Sequence, residues 1–138
     1  MAEIDPVRRS LLASLAGLPL AAILADPALA QVAAQVTRSQ TITTAGGREV
    51  TAAVARPDDD SRRHPVVMLV HEWWGLNDQI KAVAVDLARQ GYVAVAVDLF
   101  QGRVVTTADE ARALVEKVKP EEASDTLSSW AAWARNHP

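Results

Sequence analysis

The stretch Val66-Val67-Met68-Leu69-Val70-His71-Glu72-Trp73-Trp74-Gly75-Leu76-Asn77 decides how this chain is read. Its first five residues are apolar without a break, which predicts a strand with both faces buried, as inside a parallel sheet. A histidine, a glutamate and two tryptophans follow at once, then a glycine. Polar and aromatic groups gathered where a buried strand ends are expensive to place without a task.

The flanks extend the pattern. Asn77 is positioned to cap a following helix, with Asp78 in its first turn. Ile80, Val83, Ala84, Leu87 and Ala88 recur at helical spacing. Gly91 predicts a left-handed helix end. Tyr92-Val93-Ala94-Val95-Ala96-Val97 reads as a second fully apolar strand, ending at Asp98. A loop over 99–106 carries Gly102 and Arg103. Thr107 with Glu110 forms a capping-box pattern opening a helix with Ala111, Leu114, Val115 and Val118 on its apolar side. Pro120 then starts another helix, with Ala123, Leu127, Trp130, Ala131 and Ala134 on one face.

Before the quoted stretch, 39–44 and 49–56 alternate in polarity around Gly46-Gly47, a hairpin signal. Between hairpin and strand, Pro57-Asp58-Asp59-Asp60-Ser61-Arg62-Arg63 is a polar loop. Its three aspartates lack the spacing and glycine of a calcium loop, and a solvated loop is preferred. The order is hairpin, strand, helix, strand, helix, helix, which predicts an α/β fold. Chemistry in such sheets collects at the carboxyl ends of the parallel strands. The loops after Val70 and Val97 are therefore expected on one rim.

Length allows a single domain. The net charge is −3 and the charges are scattered, which argues against nucleic acid as a partner. There is no cysteine, so disulfides, cysteine-bound zinc and a thiol nucleophile are excluded within these 138 residues. No cofactor and no metal is implied. At the N-terminus, Arg8-Arg9 precedes an uncharged run to Ala25, then Asp26-Pro27-Ala28-Leu29-Ala30. A basic pair, an apolar stretch of about 15 residues and small residues before Gln31 predict an export signal over 1–30, cut after Ala30. As a helix it would span about 22 Å, short of the ~30 Å hydrocarbon core, so no stable membrane span is expected. The arginine pair resembles a twin-arginine signal, with general secretion and a plain amphipathic helix as alternatives. The expected location is periplasmic. Residues 31–38 are small and polar and read as a mobile lead-in to a domain over 39–138.

Three chemistries compete for the motif. A zinc hydrolase needs a second histidine where Gly75 stands. Phosphate cradling needs a glycine-rich turn, and two tryptophans crowd it. Acyl transfer fits better. A loop after an inner strand aims a backbone N–H, here that of Trp73, at a developing oxyanion. Glu72 is placed to orient or deprotonate a nucleophile. For Glu72 this functional reading is preferred. For His71 the preferred reading is local, as a partner of nearby backbone groups.

The run Val67–Asn77 and the run Gly91–Phe100, with the spacing between them, resemble the dienelactone hydrolase family. The resemblance covers about 41–138. It implies an α/β-hydrolase fold and cleavage of small esters and lactones by a Cys-His-Asp triad. It assigns nucleophile activation to Glu72 and an oxyanion-hole N–H to Trp73. It makes Arg103 the candidate contact for a substrate carboxylate. Trp74, with Trp73, is read from the residues themselves as a wall of the pocket that excludes water. The same resemblance places the nucleophile in a Gly-x-Cys-x-Gly elbow on the strand after the last helix, and the residues reach His137-Pro138 without one. No serine here has the flanking glycines of such an elbow.

The expectation is thus the N-terminal half of an α/β-hydrolase fold, with the C-terminal half of the sheet absent. Such a chain lacks the triad and is inactive by itself. Its Val66–Val70 strand is left as an apolar edge, open to self-association or to a complementary chain. Two other readings stay open: a non-catalytic periplasmic α/β module binding a small anion or a complementary chain, and a flavodoxin-like binding domain.

Overall fold

The computed structural model describes residues 6–136. His137-Pro138 lies outside them. The hairpin forms as β1 (Arg38–Thr43) and β2 (Glu49–Ala55), paired antiparallel, with Gly47 taking φ +85° in the turn. The quoted apolar runs form β3 (Val66–Val70) and β4 (Val93–Val97), paired parallel with Val70 opposite Val97. β2 and β4 pair antiparallel, so the sheet order is β1-β2-β4-β3.

The helix between the parallel strands, α4 (Asp78–Arg89), starts where the sequence says it should. The Asn77 side chain accepts the Ile80 N–H at 3.1 Å. Gly91, at φ +98°, donates its N–H to Ala88 O and turns the chain into β4. α5 (Ala108–Lys117) begins at Thr107, whose hydroxyl faces the Glu110 N–H and donates to the Glu110 carboxylate at 2.8 Å. α6 (Pro120–Asn136) follows directly.

The side-chain alternation of β2 and β4 sorts the core into two faces. Ala53, Ala55, Ala94 and Ala96 meet Ala84, Val85 and Ala88 of α4. These small residues let the helix lie close to the sheet. On the other face Ala52, Val54, Val93, Val95 and Val97 pack on Trp130 of α6, which is fully buried. The result is three layers, α/β/α, as the strand and helix order predicts.

β4 is buried along its length, whereas β3 departs from the two buried faces its composition predicts and takes the edge position expected of a partial sheet. Met68 is 39% and Val70 53% exposed. The reason is position in the sheet rather than composition. Among the described residues β3 pairs with β4 on one side and with no strand on the other. Val66 still packs against the α6 cluster, whereas Met68 and Val70, on the same face, lie beyond it. Val115, expected on the apolar side of α5, is likewise 47% exposed.

Ahead of the hairpin, α1 (Pro6–Ser14), α2 (Leu20–Ala25) and α3 (Pro27–Ala34) form a layer on the outer side of α4. Leu15, Ile23, Ala30 and Ala33 close over Ala82 of α4. The segment 31–38, expected to be a mobile lead-in, is helical to Ala34 and buries Val36 in the sheet–α4 core before β1 begins at Arg38. Alanine has high helix propensity and little bulk, so an Ala-rich segment can lie close against α4. Among the described residues, no helix is long and apolar enough to cross a membrane.

The hairpin turn is fastened to α6 from across the chain. Arg48 donates to Glu122 O at 2.6 Å and to Thr126 Oγ1 at 3.1 Å, and approaches the carboxylates of Glu122 and Asp125. The N–H groups of Ala45 and Gly46 donate to Ser129 Oγ and Asp125 Oδ1.

Candidate active site

Because β3 and β4 run parallel and in register to their last residues, His71 and Asp98 leave the sheet side by side. Both are buried. Asp98 organises the loop that follows it: one carboxylate oxygen accepts the Phe100 N–H at 2.9 Å, the other the Gly102 N–H at 2.6 Å. This holds a tight turn in which Gln101 takes φ +53° and Gly102 φ +83°.

His71 binds both loops. Its Nδ1 lies 2.7 Å from Glu72 O, and its Nε2 lies 3.0 Å from the Leu99 nitrogen. A carbonyl only accepts and a backbone N–H only donates. The ring is therefore neutral with its proton on Nδ1. Asp98 Oδ1 sits 4.0 Å from Nε2, but with a lone pair on that nitrogen the two do not form an ion pair. Phe100 packs edge-on against the imidazole, with centroids 4.7 Å apart.

The rest of the motif folds over this base. The Gly75 N–H donates to Glu72 O at 3.2 Å, and Gly75 takes φ +93°. A Cβ there would overlap the Arg103 carbonyl, so only glycine permits the two loops to touch. One residue earlier, Trp74 O accepts the Val105 N–H at 3.0 Å. The rim anticipated from sequence is thus one connected unit.

The four residues singled out in the sequence fall into two groups. Glu72 is exposed, and its carboxylate makes no hydrogen bond or ion pair among the described residues. Beside it, Trp73 is 40% exposed and its backbone N–H donates to no acceptor among the described residues. These two present free groups at the carboxyl rim. Trp74 is half-buried and packs against the cluster of Phe100, Val105, Ala111 and Leu114, while its ring meets Trp73 edge-on at 5.1 Å. Arg103 is exposed, and its contact with the motif is through its main chain against Gly75.

Sequence reasoning missed the carboxylate of Asp98 as the organiser of the second loop. Its position at the end of a buried strand, four residues before a glycine, was the available signal. A cleft of about 550 Å³ opens on the other side of that loop, between Glu49–Thr51, Asp98–Arg103 and Leu114–Lys119. Neither Glu72 nor Trp73 lines it. Among the described residues, no three His, Asp or Glu side chains are grouped to hold a metal ion.

Residues 50–138 match the profile of the Dienelactone hydrolase family. A carboxymethylenebutenolidase-like protein of Yersinia pestis is 34% identical over 96 residues, covering 66% of this chain and 36% of that protein. One from Aquifex aeolicus is 37% identical over 57 residues, covering 39% of this chain and 25% of that protein. The crystal structure of a dienelactone-hydrolase-like protein from Klebsiella pneumoniae superposes with a TM-score of 0.65 at 28% identity. It covers 73% of this chain and 44% of that one. The chain therefore spans less than half the length of these relatives, and over that span it belongs to the dienelactone hydrolase family.

Proposed function

We propose that this chain carries the activating and oxyanion-binding part of a hydrolase for small carboxylic esters or lactones. The observation that supports this most is the pairing of two free groups on one rim: the Glu72 carboxylate and the Trp73 N–H. In acyl transfer, negative charge develops on the former carbonyl oxygen as the tetrahedral intermediate forms. A preorganised N–H without another acceptor meets that need. A carboxylate alongside, itself unpaired, is free to orient or deprotonate a nucleophile. Arg103 and Trp74 are proposed substrate contacts, Arg103 for a carboxylate on the substrate and Trp74 for the apolar wall.

The nucleophile and its triad partners are not among these residues. The isolated chain is accordingly proposed to be inactive. Assay of the purified chain on activated esters tests this: turnover at the level of buffer is expected. Robust hydrolysis abolished by Glu72→Ala would overturn the claim of inactivity. Reading the gene past codon 138 for a Gly-x-Cys-x-Gly elbow tests where the nucleophile comes from.

The exposed edge of β3 motivates a second reading, a non-catalytic module that binds a complementary chain or a small anion. A soluble monomer with a cooperative melt and no affinity for ester analogues would favour it.

Export to the periplasm, through a twin-arginine-like signal cut after Ala30, is also proposed from the Arg8-Arg9 segment. Ala30 is 1% exposed within α3, so cleavage requires this layer to be detached from α4. N-terminal sequencing of the secreted form is the test, and an intact Met1 terminus in the periplasm would count against it.

A further inference from the structure

We infer that His71 is the positioning residue of the oxyanion donor: it aims the Trp73 N–H by gripping the other end of the same peptide unit. The inference rests on Trp73 serving as that donor. The Glu72–Trp73 peptide is trans, as are all peptides described. In a planar trans peptide the carbonyl of one residue and the N–H of the next point in opposite directions. Fixing Glu72 O therefore fixes the Trp73 N–H. Two donors hold Glu72 O, His71 Nδ1–H at 2.7 Å and the Gly75 N–H at 3.2 Å. Both hold the carbonyl on the side of the loop's base, and leave the Trp73 N–H directed away from it, without an acceptor among the described residues.

The Gly75 contact is a local turn and would move with the loop. The His71 contact differs, because the ring is anchored elsewhere. It is 8% exposed, stacked edge-on by Phe100, and held at Nε2 by the Leu99 N–H. That N–H also selects the tautomer. By occupying the Nε2 lone pair it forces the proton to Nδ1, the position from which the ring can hold Glu72 O. The second strand's loop thus sets the direction of the first strand's donor. Protonating Nε2 would displace Leu99 and release the arrangement. The ionisable group facing the ring is Asp98, with Oδ1 4.0 Å from Nε2; Glu72 meets the ring through its main-chain carbonyl.

The test is spectroscopic and uses the full chain labelled with nitrogen-15. Correlation spectra of the His71 ring should show the Nδ1–H tautomer. Two substitutions split the two contacts. His71→Asn keeps a donor near the Nδ1 position and removes the acceptor at Nε2; His71→Gln does the reverse. With His71→Asn, the Trp73 amide resonance should stay near its original position while the Leu99 amide exchanges with solvent about tenfold faster. With His71→Gln, Leu99 should stay protected and the Trp73 amide should shift. A ring that carries its proton on Nε2, or a Trp73 amide unmoved in His71→Gln, overturns the inference. Should His71→Gln not fold, the tautomer and the His71→Asn spectra still decide it. None of these readouts needs turnover. Failure of the ester-hydrolase reading in an assay leaves them intact, whereas an Nε2–H ring refutes the positioning role and leaves Glu72 and Trp73 as hydrolase residues.

Discussion

The Nε2 of His71 accepts the Leu99 N–H at 3.0 Å across 28 residues of sequence. This single contact ties the loop after β3 to the loop after β4, and it explains why a histidine at a strand end is buried without a charged partner. Removing the ring strands a part-buried N–H at Leu99 and leaves Glu72 O held by Gly75 alone. His71→Ala should therefore destabilise the fold by about 1–3 kcal/mol, the usual penalty for an orphaned buried group. Chemical denaturation of the two proteins measures it. Equal midpoints would show that the loops are held together by other contacts.

Gly75 is the closest approach of the same two loops. Its φ is +93°, and a Cβ would meet the Arg103 main chain rather than a side chain that could swing away. Backbone strain and overlap act together, so Gly75→Ala should cost more than the ~1 kcal/mol typical of a glycine replaced at positive φ, on the order of 2–3 kcal/mol. Thermal melting checks the size. A variant as stable as the parent would mean that the Arg103 loop yields at no cost.

Much of this was legible in advance. Strand β4, helices α4 and α5, and the boundary residues Asn77, Gly91 and Thr107 were readable because capping and helix-ending depend on neighbours within a few residues. The rim holding both loops was readable because parallel strands must point the same way. The exposure of β3 was not legible from its composition, since five apolar residues look the same in the middle of a sheet and at its edge; it was expected only from the resemblance, which leaves Val66–Val70 as the edge of a partial sheet, and the strand order places it there. For His71 the reading as a partner of nearby backbone holds for Glu72 O, but its second contact was not legible, since nothing local to residue 71 reveals that Leu99 lies beside it. The register pairing Val70 with Val97 creates that proximity. Arg48 is the same case, its partners lying more than 70 residues away on α6.

Trp130 fills the sheet's second face at 0% exposure, yet its Nε1 has no hydrogen-bond partner among the described residues. Its contribution is volume and apolar contact. Trp130→Ala should cost about 3–5 kcal/mol, as large-to-small changes in a core do. Trp130→Phe loses bulk but no hydrogen bond, and should cost roughly half as much or less. Urea unfolding of both variants gives the ratio. A phenylalanine variant as unstable as the alanine variant would indicate that the indole N–H has a partner after all.

Asp125 couples the hairpin latch to pH. The Thr44 hydroxyl beside it is the largest influence holding its carboxyl below the ordinary value of 3.8; the Gly46 N–H and Arg48 add to this, against the opposing effect of desolvation. The sign follows. A carboxyl whose folded-state pKa is depressed stabilises the fold above its unfolded pKa, and that stability is lost as pH falls through the folded value. The melting-temperature difference between the parent and Asp125→Asn should be constant near neutrality and shrink below about pH 4. A difference that grows on acidification would reverse the assignment.

The outer edge of β3 is the last feature with a measurable consequence. Met68 and Val70 are exposed on one face, the strand carries no charge, and no strand among the described residues pairs with its free side. Natural sheet edges are protected by charge, bulges or cover, and β3 has none of these. We propose that isolated chains associate through this edge. Sedimentation velocity should then show a weight-average mass rising with concentration. In Met68→Lys/Val70→Lys the two added charges per edge oppose strand-to-strand pairing, and the rise should disappear while the circular dichroism of the fold is kept. The same variant also separates edge pairing from helix-mediated association, because neither lysine touches α1–α3. Association that persists unchanged in the double variant would place the contact on another surface.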